Sequence, residues 1–185
     1  MSALSSYVWP LIALALVIGL VTGAIGFRES QLASKDSLAP PTPRPPEYRR
    51  KRLICLASGF VLALVAAPIW SGPVGGADRF TATIERQARE ALNYYEMPKI
   101  TAHLHRGPLT RRLVLQGQAD DWQRGELVRL FSQLPGVSGA QWTASPAGIP
   151  LVLEGAAASV LGFLSGLVLA YLIELRRRYN AQWKW

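Results

Sequence analysis

Three stretches of this chain are almost continuously apolar, and the stretch between the second and the third alternates apolar with polar positions. The apolar runs are Tyr7 to Phe27 (YVWPLIALALVIGLVTGAIGF), Leu53 to Trp70 (LICLASGFVLALVAAPIW) and Gly148 to Leu175. About 20 apolar residues in a helix cross a bilayer core, so the pattern predicts three transmembrane helices. No Lys or Arg precedes the first run and no A-x-A site follows it, so it reads as an uncleaved anchor rather than a signal peptide. Tyr7, Trp9, Trp70 and Tyr171 lie near the ends of the runs, where interfacial aromatics are expected.

Between the second and third runs the periodicity is that of a water-exposed fold. Gly72 to Ala77 (GPVGGA) reads as a flexible exit from the second span. Ile84, Ala88, Ala91 and Leu92 then recur at helical spacing, with Asp78 as the expected N-cap and Pro98 beyond the end. Ile100, Ala102 and Leu104 alternate with Thr101, His103 and His105, the period of a half-buried strand. GPLT makes a turn, and RRLVLQGQ gives a second strand with Leu113 and Leu115 on one face. ADDWQRGELVRLFSQLPG predicts an amphipathic helix, capped by Asp120 or Asp121 and burying Leu127, Leu130, Phe131 and Leu134, with Pro135 and Gly136 as the stop. VSGAQWT is a short third strand.

This order, with AREALN closing the first helix, LVLQG in the second strand, ADDWQR opening the second helix and LPGV after it, resembles the BON domain family of bacterial envelope proteins over Phe80 to Trp142. Gly117 and Gly136 match glycines of that family. The first would let the chain turn from strand towards helix and the second would end the helix at positive φ. The resemblance implies interaction with phospholipid, envelope or other proteins, and not catalysis. Its departure is the embedding, since many relatives are wholly soluble or lipid-anchored. The expected fold class is therefore an α-helical integral membrane protein with three transmembrane helices and a small α+β extramembrane domain, BON-like, in the order α-β-β-α-β.

Charge sets the expected orientation. The formal net charge is +8, which by itself would suit nucleic acid, but its distribution does not. Arg28 to Arg52 carries seven Lys/Arg and the tail after Leu175 four more, both beside apolar runs. Gly72 to Gly148 is nearly balanced, with nine Lys/Arg against seven Asp/Glu. Basic flanks mark the cytoplasmic side of a membrane protein. The segments are thus expected as a first transmembrane helix over 1–27, a basic Pro-rich cytoplasmic loop over 28–52, a second helix over 53–71, a periplasmic domain over 72–147, a third helix over 148–175 and a basic aromatic cytoplasmic tail over 176–185. The expected location is a bacterial inner membrane with the amino terminus periplasmic. Prolines in LAPPTPRPPEYRRKR favour a stiff polyproline II spacer over a helix, and Arg49 to Arg52 would sit by anionic headgroups.

Each span carries small residues at four-residue spacing: Ala15, Gly19 and Gly23; Gly59, Ala63 and Ala67; Ala158, Gly162, Gly166 and Ala170. Such rows let helices approach closely in lipid, although Gly and Ala are common in such helices by chance. The rows do not say whether the facing helix belongs to this chain or to another protein.

Little in the sequence carries chemistry. His103 and His105 share one strand face and are weak metal candidates, to which Glu96, Asp120 or Asp121 would have to add. The plainer reading is two polar side chains facing solvent. No histidine lies in an apolar run, so no intramembrane imidazole is on hand for haem or chlorophyll. Glu154, near the outer end of the third run, is expected to snorkel or to hydrogen-bond a neighbour. The single cysteine, Cys55, permits no internal disulfide and is expected to be buried. Walker A, GxSxG and HExxH patterns are missing. In the tail RRRYNAQWKW, Arg176, Arg177, Arg178, Tyr179, Trp183 and Trp185 suit either an interfacial anchor or a docking surface for a partner.

These readings lead to a non-catalytic accessory or scaffold subunit without a cofactor. Its partners are subunits of a membrane protein complex, further copies of itself or phospholipids, and not nucleic acid. The alternative is a homo-oligomeric channel or transporter component, for which Thr22, Ser58, Ser165 and Glu154 are the available polar residues.

Overall fold

The computed structural model describes residues 3–35, 46–143 and 148–182. The chain is mostly helical with one small sheet, in the order α1 (Ala3–Lys35), α2 (Pro46–Ser71), α3 (Gly76–Tyr94), β1 (Thr101–Arg106), β2 (Leu109–Gln116), α4 (Asp121–Ser132), β3 (Gly139–Gln141) and α5 (Leu151–Gln182). Among the described residues three helices are long and apolar enough to cross a membrane: Ala3–Phe27, Arg49–Ser71 and Leu151–Arg177. The order α-β-β-α-β between them is the order expected from the periodicity.

Two compact units divide the chain. The first comprises Met1–Trp9 and Pro68–Gly155, the second Pro10–Ala67 and Ala156–Trp185.

In the first unit, β2 is the central strand. It pairs antiparallel with β1, Ala102 opposite Leu115, and parallel with β3, Leu113 opposite Ala140. The parallel pairing follows from α4, which supplies the crossover that a parallel pair needs. The core holds Phe80, Ile84, Ala88 and Leu92 of α3, Ile100, Ala102 and Leu104, Leu113 and Leu115, and Leu127 and Phe131 of α4. The alternation read for β1 is thus the one that buries its apolar face. Leu130 and Leu134 are partly buried. Val114 and Thr110 of β2 are buried as well, so this strand is covered on more than the one face that Leu113 and Leu115 define.

The helix starts differ in how far they follow expectation. Asp120 is the N-cap of α4, and Gln123 reaches back so that its Oε1 accepts the Asp120 N–H at 3.2 Å, one arm of a capping box. Asp78 is not the cap of α3. That position is Gly75, at φ 72°, and Asp78 lies within the first turn. The segment read as a flexible exit is instead a hydrogen-bonded turn: Gly72 N–H donates to Pro68 O, Val74 N–H to Ile69 O and Gly75 N–H to Gly72 O. Gly75 can adopt the left-handed conformation of this turn without a Cβ penalty. A Cβ on Gly76 would sit 2.5 Å from the Trp70 indole nitrogen, so the turn is also closed by packing. Gly117 and Gly136 have φ of 140° and 104°, as their expected roles require.

In the second unit the three long helices bury one stripe each. Ala15 and Gly19 of α1, Gly59, Ala63 and Ala67 of α2, and Ala158, Gly162, Phe163, Gly166 and Ala170 of α5 face inwards. Leu14, Val17, Val21, Phe60, Leu62, Val65, Leu161, Leu164, Val168 and Leu172 are exposed. The helical backbone also extends into the stretch expected as a loop, because α1 runs on to Lys35 and α2 begins at Pro46. A proline at the first helical position lacks an N–H that the helix does not need there. The spacer prolines before Pro46 lie outside the described residues.

Candidate functional site

The terminal turns of the long helices that belong to the first unit form a joint with the α+β fold. Tyr7 is buried rather than interfacial. Its hydroxyl shares a hydrogen bond with Ser71 Oγ at 2.6 Å and lies 3.5 Å from Leu151 O. Its ring meets Phe80 of α3, centroids 6.0 Å apart and planes tilted by 54°. The expectation failed because a tyrosine near a span end looks the same in sequence whether headgroups or another part of the chain meet it. Trp9, two residues on, is exposed as an interfacial aromatic would be.

Glu154 is the ionic part of this joint. Its Oε2 lies 2.8 Å and its Oε1 3.0 Å from Arg111 Nε, and both side chains are 23% exposed. The carboxylate sits in the first turn of α5, where the helix dipole favours a negative charge. The hydrogen-bonded neighbour expected for it is therefore a cation on β2. A bridge between Thr110 and Pro150 and the bond from Ser138 N–H to Arg111 O tie the same stretch of β2 on both sides. Arg111 drew no notice in the sequence, since nothing local connects it with a residue so far along the chain.

The far end of α3 is different. α3 rises about 1.5 Å per residue, so Tyr94 stands roughly 27 Å from Gly76 and the joint. Tyr94 is 81% exposed, its ring edge-on to Tyr95 at 5.3 Å. The β2–α4 loop emerges at this same end, because Thr101 pairs with Gln116 and a Cβ on Gly117 would lie 2.6 Å from Lys99 O. It brings Trp122, 77% exposed. Three large aromatics are thus exposed, Tyr94 and Tyr95 at the end of α3 and Trp122 in the first turn of α4. In the sequence the YY and DDW stretches are indistinguishable from ordinary helix ends.

His103 and His105 share a face of β1 but turn to different neighbours. His103 Nδ1 is 3.7 Å from Glu85 Oε1, and His105 Nδ1 is 3.1 Å from Pro108 O. Among the described residues no group of three His, Cys, Asp or Glu side chains could hold a metal ion, and Glu96, Asp120 and Asp121 do not join the histidines. Glu85 has a structural task. It accepts the Leu104 N–H at 3.3 Å and pairs with Arg106 at 3.3 Å. At the other edge of the sheet Ser132 Oγ accepts the Ala140 N–H at 3.1 Å. Both edge strands thus have backbone donors covered by helix side chains, which blunts edge-to-edge pairing.

In the second unit the small-residue rows face one another within this chain. A Cβ on Gly19 would run into Phe163 O, one on Gly166 into Leu16 O, and one on Gly162 would lie 2.6 Å from Ile12 O. A Cβ on Gly23 would be 2.7 Å from Ala170 Cβ, and one on Gly59 2.5 Å from Thr22 Cγ2. Ala63 is fully buried beside Ala15 and Phe163. The polar residues considered for a transport path turn back on their own helices: Thr22 Oγ1 donates to Ile18 O, Ser58 Oγ to Cys55 O and Ser165 Oγ to Leu161 O. Cys55 is half-buried, its sulfur 3.9 Å from Thr22 O.

Basic residues of α2 and α5 lie near the Phe27 end of α1 in this unit. The Arg52 guanidinium lies 5.0 Å over the Phe27 ring, and Phe27 packs on Tyr171 with centroids 5.9 Å apart. Arg176 and Arg177 follow on α5 and are exposed, as is Tyr179. α5 continues through Arg178 to Gln182, so the start of the expected tail is helix. Trp183 and Trp185 lie outside the described residues. No protein-family model matches the chain, and no curated protein or solved structure matches it.

Proposed function

We propose that this chain is a non-catalytic accessory or scaffold subunit of a bacterial inner membrane, with α1, α2 and α5 as transmembrane helices and the α+β fold as a periplasmic, BON-like interaction domain. The observation that carries the reading is the contrast of surfaces: exposed Leu, Val and Ile flank the long helices, whereas the small fold exposes Tyr94, Tyr95 and Trp122. An apolar exterior on helices whose backbones are satisfied internally suits a hydrocarbon surrounding. Tyr and Trp exposed together suit a protein contact, since they are enriched among binding hot spots. The element order α-β-β-α-β supports the BON-like reading. The gathering of Arg52, Arg176 and Arg177 near Phe27 and Tyr171 supports a cytoplasmic side at that end.

The test is extraction in mild detergent, measurement of native mass and identification of co-purifying chains by mass spectrometry. A defined larger complex whose other chains are lost when Tyr94 and Trp122 are both replaced by Ala is the expected result. A bare monomer would overturn the scaffold reading. A homo-oligomer without other chains would turn attention to self-assembly.

A further inference from the structure

The second unit holds a groove on the outside of the α1–α5 pair. It measures about 190 Å³ and is walled by Leu20, Ala24 and Phe27 of α1 and by Ala170, Glu174 and Arg177 of α5. The small side chains make it: Ala24 and Ala170 stand where larger residues would fill the space, and Gly23 lets Ala170 come close. Its floor is apolar. Its rim carries the Arg177 guanidinium. Arg176 precedes it on the same helix, and Arg52 lies over the ring of Phe27, itself part of the wall. In the lining Glu174 is the one acid and Arg177 the one cation, with Arg52 next to the wall residue Phe27.

From this we propose that the groove binds one anionic phospholipid of the surrounding bilayer, its acyl chain along Leu20, Ala24 and Ala170 and its phosphate against Arg177. The inference rests on the membrane reading above and goes beyond it by naming a lipid class and a site. An apolar slot with a guanidinium at one end and a second cation close by matches an amphiphile with a negative head, and basic pockets between transmembrane helices on the cytoplasmic side take such headgroups. The planar guanidinium can donate two parallel hydrogen bonds to phosphate oxygens, which a zwitterionic headgroup offers with a competing cation of its own. A second copy of this chain is a poorer occupant, because it would bring the same cations to face Arg177.

The full-length chain in detergent, titrated with phosphatidylglycerol or with phosphatidylcholine of the same acyl chains and observed by native mass spectrometry, tests this. The wild type should retain phosphatidylglycerol in preference. Arg177→Gln should weaken that retention about tenfold, the size of losing one charge-assisted contact. Ala24→Phe, which fills the slot and leaves the charge, should weaken it as well, and Arg129→Gln on the small domain should not. Equal retention of the two lipids, or wild-type binding by Arg177→Gln, would overturn the site. Sedimentation of the untreated protein separates the two readings. A chain that stays soluble without detergent defeats the membrane reading, whereas a chain that pellets with membranes but shows no lipid preference defeats this inference alone.

Discussion

The two units bury opposite kinds of residue. In the α+β unit the interior is large and the exterior charged: Phe80, Ile84, Leu113, Leu115 and Phe131 are inside, while Arg86, Glu90, Glu126 and Arg129 make weak exposed pairs outside. In the helical unit glycine and alanine are inside and leucine and valine outside. The difference teaches what holds each together. Burying large apolar side chains stabilises a fold in water. Where the surroundings are as apolar as leucine, that gain vanishes and close contact between backbones takes its place. On the membrane reading proposed above, one polypeptide is built for two solvents.

The largest effects should come from attacking each unit by its own principle. Phe131→Ala should destabilise the α+β unit by about 3–5 kcal/mol through lost burial and the cavity left behind. Chemical denaturation followed by tyrosine and tryptophan fluorescence would read this, with the helical unit unchanged. Gly166→Leu should cost about 3 kcal/mol or more, since it drives a side chain into the backbone of α1 and no rotamer relieves that. Loss of monodisperse protein in detergent is the readout. A tolerated Gly166→Leu would show that the close approach of α1 and α5 is not what holds the helices.

Smaller effects sharpen the comparison. Breaking the Arg111–Glu154 pair with Glu154→Gln should cost about 1–2 kcal/mol, between the value for an exposed pair and that for a fully buried one. The double change with Arg111→Met should recover part of the loss, and a double-mutant thermal series checks it. Gly125, in the middle of α4, has nothing within 4 Å of where a Cβ would be. Gly125→Ala should therefore stabilise the α+β unit by about 0.5–1 kcal/mol. Glycine is thus a cost in one unit and a requirement in the other.

Much of the fold was legible because it is local. Hydrophobic runs fix the long helices, and the alternation Ile100, Ala102, Leu104 fixes β1. The small residues at four-residue spacing announce close packing, but only the structure says that their partners lie in the same chain. What could not be read depends on pairings distant in sequence. Arg111 meets Glu154 and Tyr7 meets Ser71 and Phe80 through the tertiary fold, with no local signal to pair them. The cap of α3 was misplaced for another reason. Asp78 is a good N-cap by residue type, but the tight turn from α2 sets the start of α3, and that turn uses Gly75. The exposure of Tyr94, Tyr95 and Trp122 is not legible in the pattern, because it is a property of the folded surface.

The central claim is that three helices cross a membrane and hold the α+β fold on the side away from the basic clusters. In a Cys55→Ala background, Asp121→Cys on the exposed start of α4 and Arg50→Cys near the start of α2 can be labelled separately in intact cells with a thiol reagent that does not cross the inner membrane. The account predicts labelling of Asp121→Cys in intact cells and of Arg50→Cys after permeabilisation alone. Labelling of Arg50→Cys in intact cells, with Asp121→Cys protected until permeabilisation, would contradict it.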